Sequence, residues 1–459
     1  MSGLRERLGR LKGPAAQAAP PPLPVADGEW AQLGAHIETS SAGSFIMRRC
    51  TYGADSVHGK YRLRELAEVA QQLSGFHDRD AVVQHEALLF FDTETTGLGV
   101  GAGNVPFMVG IGFYTAESFT VEQLFIRNPA EEQAMLVYLQ ELLSRFTHIV
   151  SYNGRTFDWP ILKNRYVLNR LKLNDAKLLQ LDLLYSSRSL WRNTLPSCRL
   201  SKVEESRLGF ERVDDVPGSM APTLYFQYLA EKNPAILQGV FVHNEHDIVT
   251  LAALAIHFGK LLAEDTPAFM PEPELELEEL FRTGQWLDKM NRRQKSESYF
   301  NELFTRLMND QEGEISSMDY EHAILQLAAF YKKRANYSRA VDLWKRWIAI
   351  KHASIALQID PYLELAMFYE HRERNWEQAI FYAEEAWAKL WRRRSLQRAD
   401  KKQHEVEEAL EKRIRRLKDK LRKSQTPARQ SNALAVQANQ RAASKTRKMK
   451  PIYVSEGLI

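Results

Sequence analysis

Cysteine is nearly missing from this chain: Cys50 and Cys198 are the two in 459 residues, too few for a disulfide framework or a C-x-x-C zinc site. That scarcity suits a reducing compartment, so a cytoplasmic location is expected. Long apolar runs are missing as well. No stretch reaches the ~20 residues of a membrane-spanning helix, and the opening MSGLRERLGRLKGP has basic residues but no apolar signal core, so neither membrane association nor a secretory signal is expected. No charge dominates overall, the net charge being +4, but the balance is uneven. Residues 391–450 hold 20 Lys and Arg against 6 Asp and Glu, which leaves an acidic body with a polycationic tail. Such a tail suits contact with a polyanion such as nucleic acid, or is merely solvated.

With 44% hydrophobic and 26% charged side chains the composition is that of a globular protein, and the length exceeds a single core. Residues 1–27 read as a flexible leader, because AAQAAPPPLP offers nothing to pack. Residues 28–86 read as an N-terminal extension with a strand-like SFIMRRC (44–50) and a helix-like RLRELAEVAQQL (62–73). From 87 to 265 the pattern is β-β-β-α-β-α-β, with a helix start at Asn128-Pro129-Ala130-Glu131, a strand in KLLQLDLLY (177–185), and a last helix from about Glu245 to Leu262. This predicts an α/β domain with a mixed sheet. TPAFMPEPE (266–274) marks a boundary. Residues 275–390 read as all-helical, and Leu327-Ala328, Phe330-Tyr331, Tyr337 and Ala340 recur 38 to 39 residues on as Leu365-Ala366, Phe368-Tyr369, Trp376 and Ala379. Small residues beside aromatics at that offset resemble tetratricopeptide helix pairs, a common partner-binding surface, although an ordinary helical bundle also fits. Residues 391–459 read as a basic helix with Val406, Leu410, Ile414, Leu417 and Leu421 on one face, then a disordered tail.

Chemistry concentrates where the apolar run Leu88-Leu89-Phe90-Phe91 ends in Asp92-Thr93-Glu94. Side chains alternate along a strand, so Asp92 and Glu94 share a face and repel unless a cation lies between them. Two hard carboxylates suit Mg²⁺ or Mn²⁺ and, through it, phosphate. A bare D-x-E also fits a strand running out into a polar turn, so the reading depends on further acids downstream. Asp158 stands just past a strand end, where it is either a ligand or a helix cap. His243 and Asp247, four residues apart, share a helix face, and His246 points elsewhere.

In this order Asp92-x-Glu94, Asn153 to Asp158, and His243-x-x-x-Asp247 resemble the three exonuclease motifs of the DEDD superfamily on a ribonuclease H-like (DnaQ-like) fold. More narrowly, FDTETTGLG, SYNGRTFDWPIL, LDLLYSSRSLWR, LPSCRLSKVEE, DDVPG and HNEHDIVTLAAL resemble the YprB, or mitomycin repair factor B-like, exonucleases over roughly residues 28–262. The resemblance implies a two-metal 3′–5′ DNA exonuclease in repair, with Asp92, Glu94, Asp158 and Asp247 holding two Mg²⁺ or Mn²⁺ ions and His243 as general base. It also implies Thr93 and Asn153 as substrate or supporting contacts, DNA with single-stranded or 3′ ends as substrate, and a helicase or other protein partner on the C-terminal helices. His243 occupies the spacing used by tyrosine-type members of the superfamily, and His246 is its rival as base. Two other readings stay open: a non-catalytic nucleic-acid adaptor that recruits partners, and a ribonuclease on the same fold.

Overall fold

The computed structural model describes residues 28–76, 82–97, 99, 101, 103–116, 118–263, 275–309, 317–351, 358–394 and 401–425. The proposed leader (1–27), the whole Pro- and acid-rich boundary (266–274) and the tail beyond 425 lie outside the described residues. The chain divides into two compact units, residues 1–302 and 303–459.

The first unit is built on the apolar run. Leu88, Leu89, Phe90 and Phe91 are fully buried, and they open the strand β5 (Leu88–Thr95) at the centre of a seven-stranded sheet ordered β1-β2-β7-β6-β5-β8-β9. The three successive strands that open this pattern are present as an antiparallel meander of β5, β6 (Pro106–Tyr114) and β7 (Ser118–Phe125). On the other side β8 (His148–Ser151) and β9 (Leu179–Asp182) run parallel to β5, which makes the sheet mixed. The extension contributes to this sheet. Its β1 (Ala35–Ser40) and β2 (Gly43–Gly53) continue the antiparallel side beyond β7, while β3 (Val57–His58) and β4 (Tyr61–Arg62) form a separate ribbon. The helix expected over 62–73 is shorter, Glu65–Val69, and tightens into a 3₁₀ turn over Ala70–Phe76.

One face of the sheet is covered by α1 (Glu132–Leu143) and α2 (Asp158–Leu168), against which Phe91 packs through Trp159 at 5.7 Å between ring centres. The start at Asn128-Pro129 is real: the Asn128 side chain accepts from Ala130 N–H, and a 3₁₀ turn leads into α1. β9 is shorter than the sequence reading. Its last residue, Asp182, accepts from the Leu184 N–H and so caps α3 (Leu183–Trp191), which ends the strand there. Further on lie α4 (Ala221–Glu231) and the long α5 (Gln238–Leu262) across the other face of the sheet. α5 begins seven residues before Glu245, because a second Asn-Pro signal at Asn233-Pro234 launches a 3₁₀ turn that runs straight into it. His243 and Asp247 therefore sit inside α5 and not at its first residues.

Glycine sets how close α5 comes. A Cβ at Gly110 would lie 2.2 Å from Asn244 Oδ1, and one at Gly112 would lie 2.5 Å from Ile248 Cγ2. These two bare positions on β6 let the helix backbone approach the sheet. The unit also takes in α6 (Leu277–Lys289), whose Trp286 stands 5.5 Å from Phe258 of α5. The division between the units falls within α7 (Arg293–Asn309).

The second unit is all-helical. α8 (Ser317–Lys333) and α9 (Tyr337–Lys351) form one pair, α10 (Asp360–Phe368) and α11 (Trp376–Arg394) another. The residues that repeat in the sequence are those that meet in the core: Leu327, Ala328 and Ala340 in the first pair, Leu365, Ala366 and Ala379 in the second, all fully buried. Each pair turns on a residue with positive φ at matching positions, Ala335 and Arg374. α12 (Lys401–Gln425) is the basic helix, and its Leu410 and Leu417 are buried while Arg416 and Lys420 close on the buried Glu370 at 2.8 Å each. Among the described residues no helix is long and apolar enough to cross a membrane.

Candidate active site

Asp92 and Glu94 stand on the face of β5 that α5 crosses. Asn244 of α5, itself buried, donates from Nδ2 to Asp92 Oδ2 at 3.0 Å. Its orientation is set from behind, since Gln123 Nε2 donates to Asn244 Oδ1 at 3.0 Å and to the Phe241 carbonyl at 2.7 Å. Gln123 in turn accepts from Arg48 of β2 at 2.7 Å, and Arg48 also pairs with Glu245. A line of hydrogen bonds thus runs from the N-terminal strands through β7 and α5 to the first acid.

Asp158 opens α2, so it stands at the same end of the sheet. It is buried, and the Thr93 hydroxyl donates to its Oδ1. Asn153, before it, adopts φ 69°, in the left-handed region. Its N–H donates to Asp182 Oδ1 at 2.8 Å, and its side-chain oxygen accepts from Thr156 at 2.9 Å. These contacts fix the turn that carries Asp158 to the strand end. Asp182 is therefore the carboxylate that organises the turn and the start of α3 together.

The acids act on one another through charge. Burial, then the carboxylates of Asp247, Asp158 and Glu94, push Asp92 well above the usual carboxylate range, with the Asn244 hydrogen bond acting against them. Glu94 is raised by burial and by Asp247, Asp158 and Asp215. Burial raises Asp158 to about 6, opposed by the Thr93 hydroxyl. Asp92, Glu94, Asp158 and Asp247, from three separate segments, thus form one electrostatic cluster.

Asp247 brings two further groups. Arg212 Nη2 donates to Asp247 Oδ1 at 2.6 Å, while its Nε holds Glu204 at 2.6 Å. Burial works against the Arg212 charge, but Asp247 and Glu204 outweigh it and hold the guanidinium protonated. His243 Nε2 lies 3.6 Å from Asp247 Oδ2, and His243 Nδ1 lies 2.8 Å from Asp215 Oδ1. A Cβ at Gly218 would come within 3.1 Å of His243 Nε2, so the turn after Asp215 closes over the ring with a bare backbone. His246 faces a different neighbourhood: its ring meets Phe210 edge-on at 5.6 Å, its Nδ1 is buried without a hydrogen-bond partner, and burial followed by Arg212 lowers its pKa.

The sequence did not single out Arg212, Asp215, Asn244 or Asp182. Asp215 lies in the DDVPG phrase, Asn244 in HNEHDIVTLAAL and Asp182 in LDLLYSSRSLWR, but no phrase names a partner for them. Past the end of β5, the Asn104 side chain donates to the Gly97 carbonyl at 3.0 Å.

Among the described residues no three His, Cys, Asp or Glu side chains stand at the mutual spacing of a formed metal centre. The donor chemistry fits hard divalent cations all the same. Four carboxylates repel one another, a single guanidinium touches one of them, and oxygen donors are what Mg²⁺ and Mn²⁺ prefer.

Residues 89–258 match the RNase H superfamily, and this span contains every acid of the cluster. The chain is also 31% identical over 365 residues to the uncharacterized protein YprB of Bacillus subtilis (strain 168), an alignment that covers 78% of this chain and 84% of YprB. Overlap of that extent takes in both the sheet domain and much of the helical region. The chain therefore belongs to the YprB family, with a domain of the RNase H superfamily.

Proposed function

We propose that the protein is a divalent-metal-dependent 3′–5′ exonuclease acting on DNA, with the acid cluster as its active site. The observation that carries this reading is the convergence of Asp92, Glu94, Asp158 and Asp247 beside a histidine held by a carboxylate. The four acids would hold two Mg²⁺ or Mn²⁺ ions, which when bound neutralise the phosphodiester and the oxygens that attack and leave. Arg212 cancels part of the negative charge at Asp247 and fixes the rotamer of that carboxylate. Asn244, a neutral amide, orients Asp92 through its hydrogen bond to Oδ2.

His243 is the base in this reading. With Asp215 accepting from Nδ1–H, the ring is held in the tautomer whose Nε2 lone pair is free, on the side of Asp247. Nε2 then takes the proton of the attacking water as the phosphodiester opens. Thr93 and Asp182 are positioning residues, the first for Asp158 and the second for the turn that carries it. The polarity, the preference for DNA, the repair role and a helicase or other partner on the helical unit rest on the resemblance to exonucleases of this family.

The test is digestion of a 5′-labelled DNA strand, single and duplex, with Mg²⁺, Mn²⁺ or EDTA, alongside Asp92→Ala. A metal-dependent ladder shortening from the 3′ end, lost in Asp92→Ala, is the expected result. Retained DNA binding with no cleavage under either metal would favour the adaptor, and cleavage confined to an RNA strand would favour the ribonuclease.

A further inference from the structure

Beyond the acid cluster, the first unit contains a cleft lined by arginines that the mechanism does not use. Arg188 lies in the last turn of α3, Arg192 caps that helix, and Arg199 lies on the loop that follows; together with Ser197 and Cys198 they line a cleft of about 350 Å³. All three arginines are exposed. Among the described residues, none of the three guanidiniums is within ion-pair distance of an acid. Neighbouring arginines differ in this respect, since Arg207 holds Glu279 at 2.8 Å and Arg282 holds Glu278 at 2.6 Å.

Cations at a helix C-terminus favour the helix dipole, and that alone accounts for Arg188 and Arg192. It does not account for Arg199, which the loop brings back to the same cleft. Three exposed like charges lining one cleft repel only weakly in water, but together they give the cleft a positive potential that an anionic ligand would meet.

Position says which anion. The Tyr152 hydroxyl donates to the Cys198 carbonyl at 2.7 Å, which ties the arginine loop to the end of β8. In the parallel pairing of β5 with β8, Phe90 is opposite Val150. That pairing sets the end of β8, after which Tyr152 follows, next to the strand that carries Asp92 and Glu94. The cleft is therefore tied through Tyr152 to the end of β8, the strand beside the one that carries the acids. Arginine matches phosphate oxygens with two parallel N–H donors, so the polyanion that suits a cleft anchored beside the acid-bearing strand is a nucleic-acid backbone.

We propose that Arg188, Arg192 and Arg199 form a binding site for the phosphodiester backbone of a single nucleic-acid strand, holding the strand whose end lies at the acid cluster. This rests on the nuclease reading for the placement of the strand end, but the binding itself does not depend on cleavage.

The test uses the full chain in EDTA, with fluorescein-labelled 20-nucleotide DNA and RNA probes read by anisotropy from 50 to 300 mM salt. Replacing all three (Arg188→Gln, Arg192→Gln, Arg199→Gln) should weaken binding of the DNA probe by about tenfold or more at 0.1 M salt and lower the log–log salt slope by about 2. The RNA probe shows whether the site distinguishes the sugar, and an equal loss on both identifies the phosphates as the shared feature. Lys172→Gln with Lys177→Gln removes charge before β9, at the opposite end of the parallel strands, and should leave both quantities unchanged. Arg→Lys at the three positions checks the fold and should restore most of the salt slope. Affinity and slope unchanged in the glutamine variant, or lost equally in the lysine control pair, would overturn the proposal. Arginine-dependent binding by a protein that never cleaves would leave this site standing and retire the exonuclease reading alone.

Discussion

Asp158 illustrates what the site costs when its carboxylates must ionise without a cation. Burial places its pKa at about 6 against an ordinary 3.8, so the folded state binds the proton more tightly than the unfolded chain does. A raised folded pKa contributes stability that is complete below about pH 4 and is lost as pH rises through about 6, by an amount on the order of 3 kcal/mol. Asp92 and Glu94 are raised in the same direction, by burial and the neighbouring carboxylates, and add to the loss. In EDTA, the thermal midpoint of the wild-type protein should therefore fall from pH 5 to pH 8 more steeply than that of Asp158→Asn, and Mg²⁺ or Mn²⁺ at pH 8 should recover it. Parallel pH profiles for the two proteins, with no response to metal, would contradict the cluster as described. At this scale the sequence offered Asp92 with Glu94 and His243 with Asp247 as pairs sharing a face, left Asp158 as ligand or cap, and joined the five as candidates only through their resemblance to the exonuclease motifs. Arg212, Asp215 and Asn244 act through neighbours that are distant in sequence, and a single arginine or asparagine has no signature until the fold brings its partner to it.

The contact that matters most among the elements is α5 on β6. Asn244 can reach Asp92 only because Gly110 has no side chain, and Asn244 has no freedom to retreat, being held at 3.0 Å by Gln123 on one side and bonded to Asp92 on the other. Gly110→Ala should cost about 1–3 kcal/mol through overpacking and should also lower nuclease activity, because relief of the clash displaces the group that orients the first acid. Gly53→Ala, where a Cβ meets nothing within 4 Å, is the matched control and should change neither. Chemical denaturation and the 5′-labelled digestion assay read the two effects; a Gly110→Ala protein as stable and active as the control would show that α5 has room to shift. The meander, the Asn128-Pro129 helix start and the helical repeat were legible in the sequence because period and capping are local. The start of α5 was misplaced although Asn233-Pro234 carries the same signal, since the apolar face of the helix becomes continuous only beyond Asp247. The strand Gly43–Gly53 was visible as a strand, but its place in the sheet depends on pairing with β7, about 70 residues away, which no local pattern encodes.

For the whole molecule, the Pro- and acid-rich stretch at 266–274 marks a change of composition, but the first unit continues past it. Trp286 of α6 is buried, donates to the Ser186 hydroxyl at 3.2 Å and packs on Phe258, while Glu279 accepts from Trp191 at 2.8 Å and pairs with Arg207. A chain ending at Glu274 would strip these groups away, exposing the Trp191 and Phe258 rings and leaving Arg207 without its acid. Loss of one buried tryptophan alone typically costs about 3–5 kcal/mol, so the shorter chain should unfold at markedly lower temperature or fail to accumulate. A chain ending at Asn309 keeps α6 and all of α7 and should retain both the sheet domain's thermal midpoint and its cleavage of naked DNA, if the helical unit serves partners and not catalysis. Comparing the two truncations by calorimetry and by digestion separates the roles. Equal stability of the two chains would mean that α6 contributes nothing to the sheet domain, and a stable but inactive chain ending at Asn309 would assign the helical unit a part in holding the substrate.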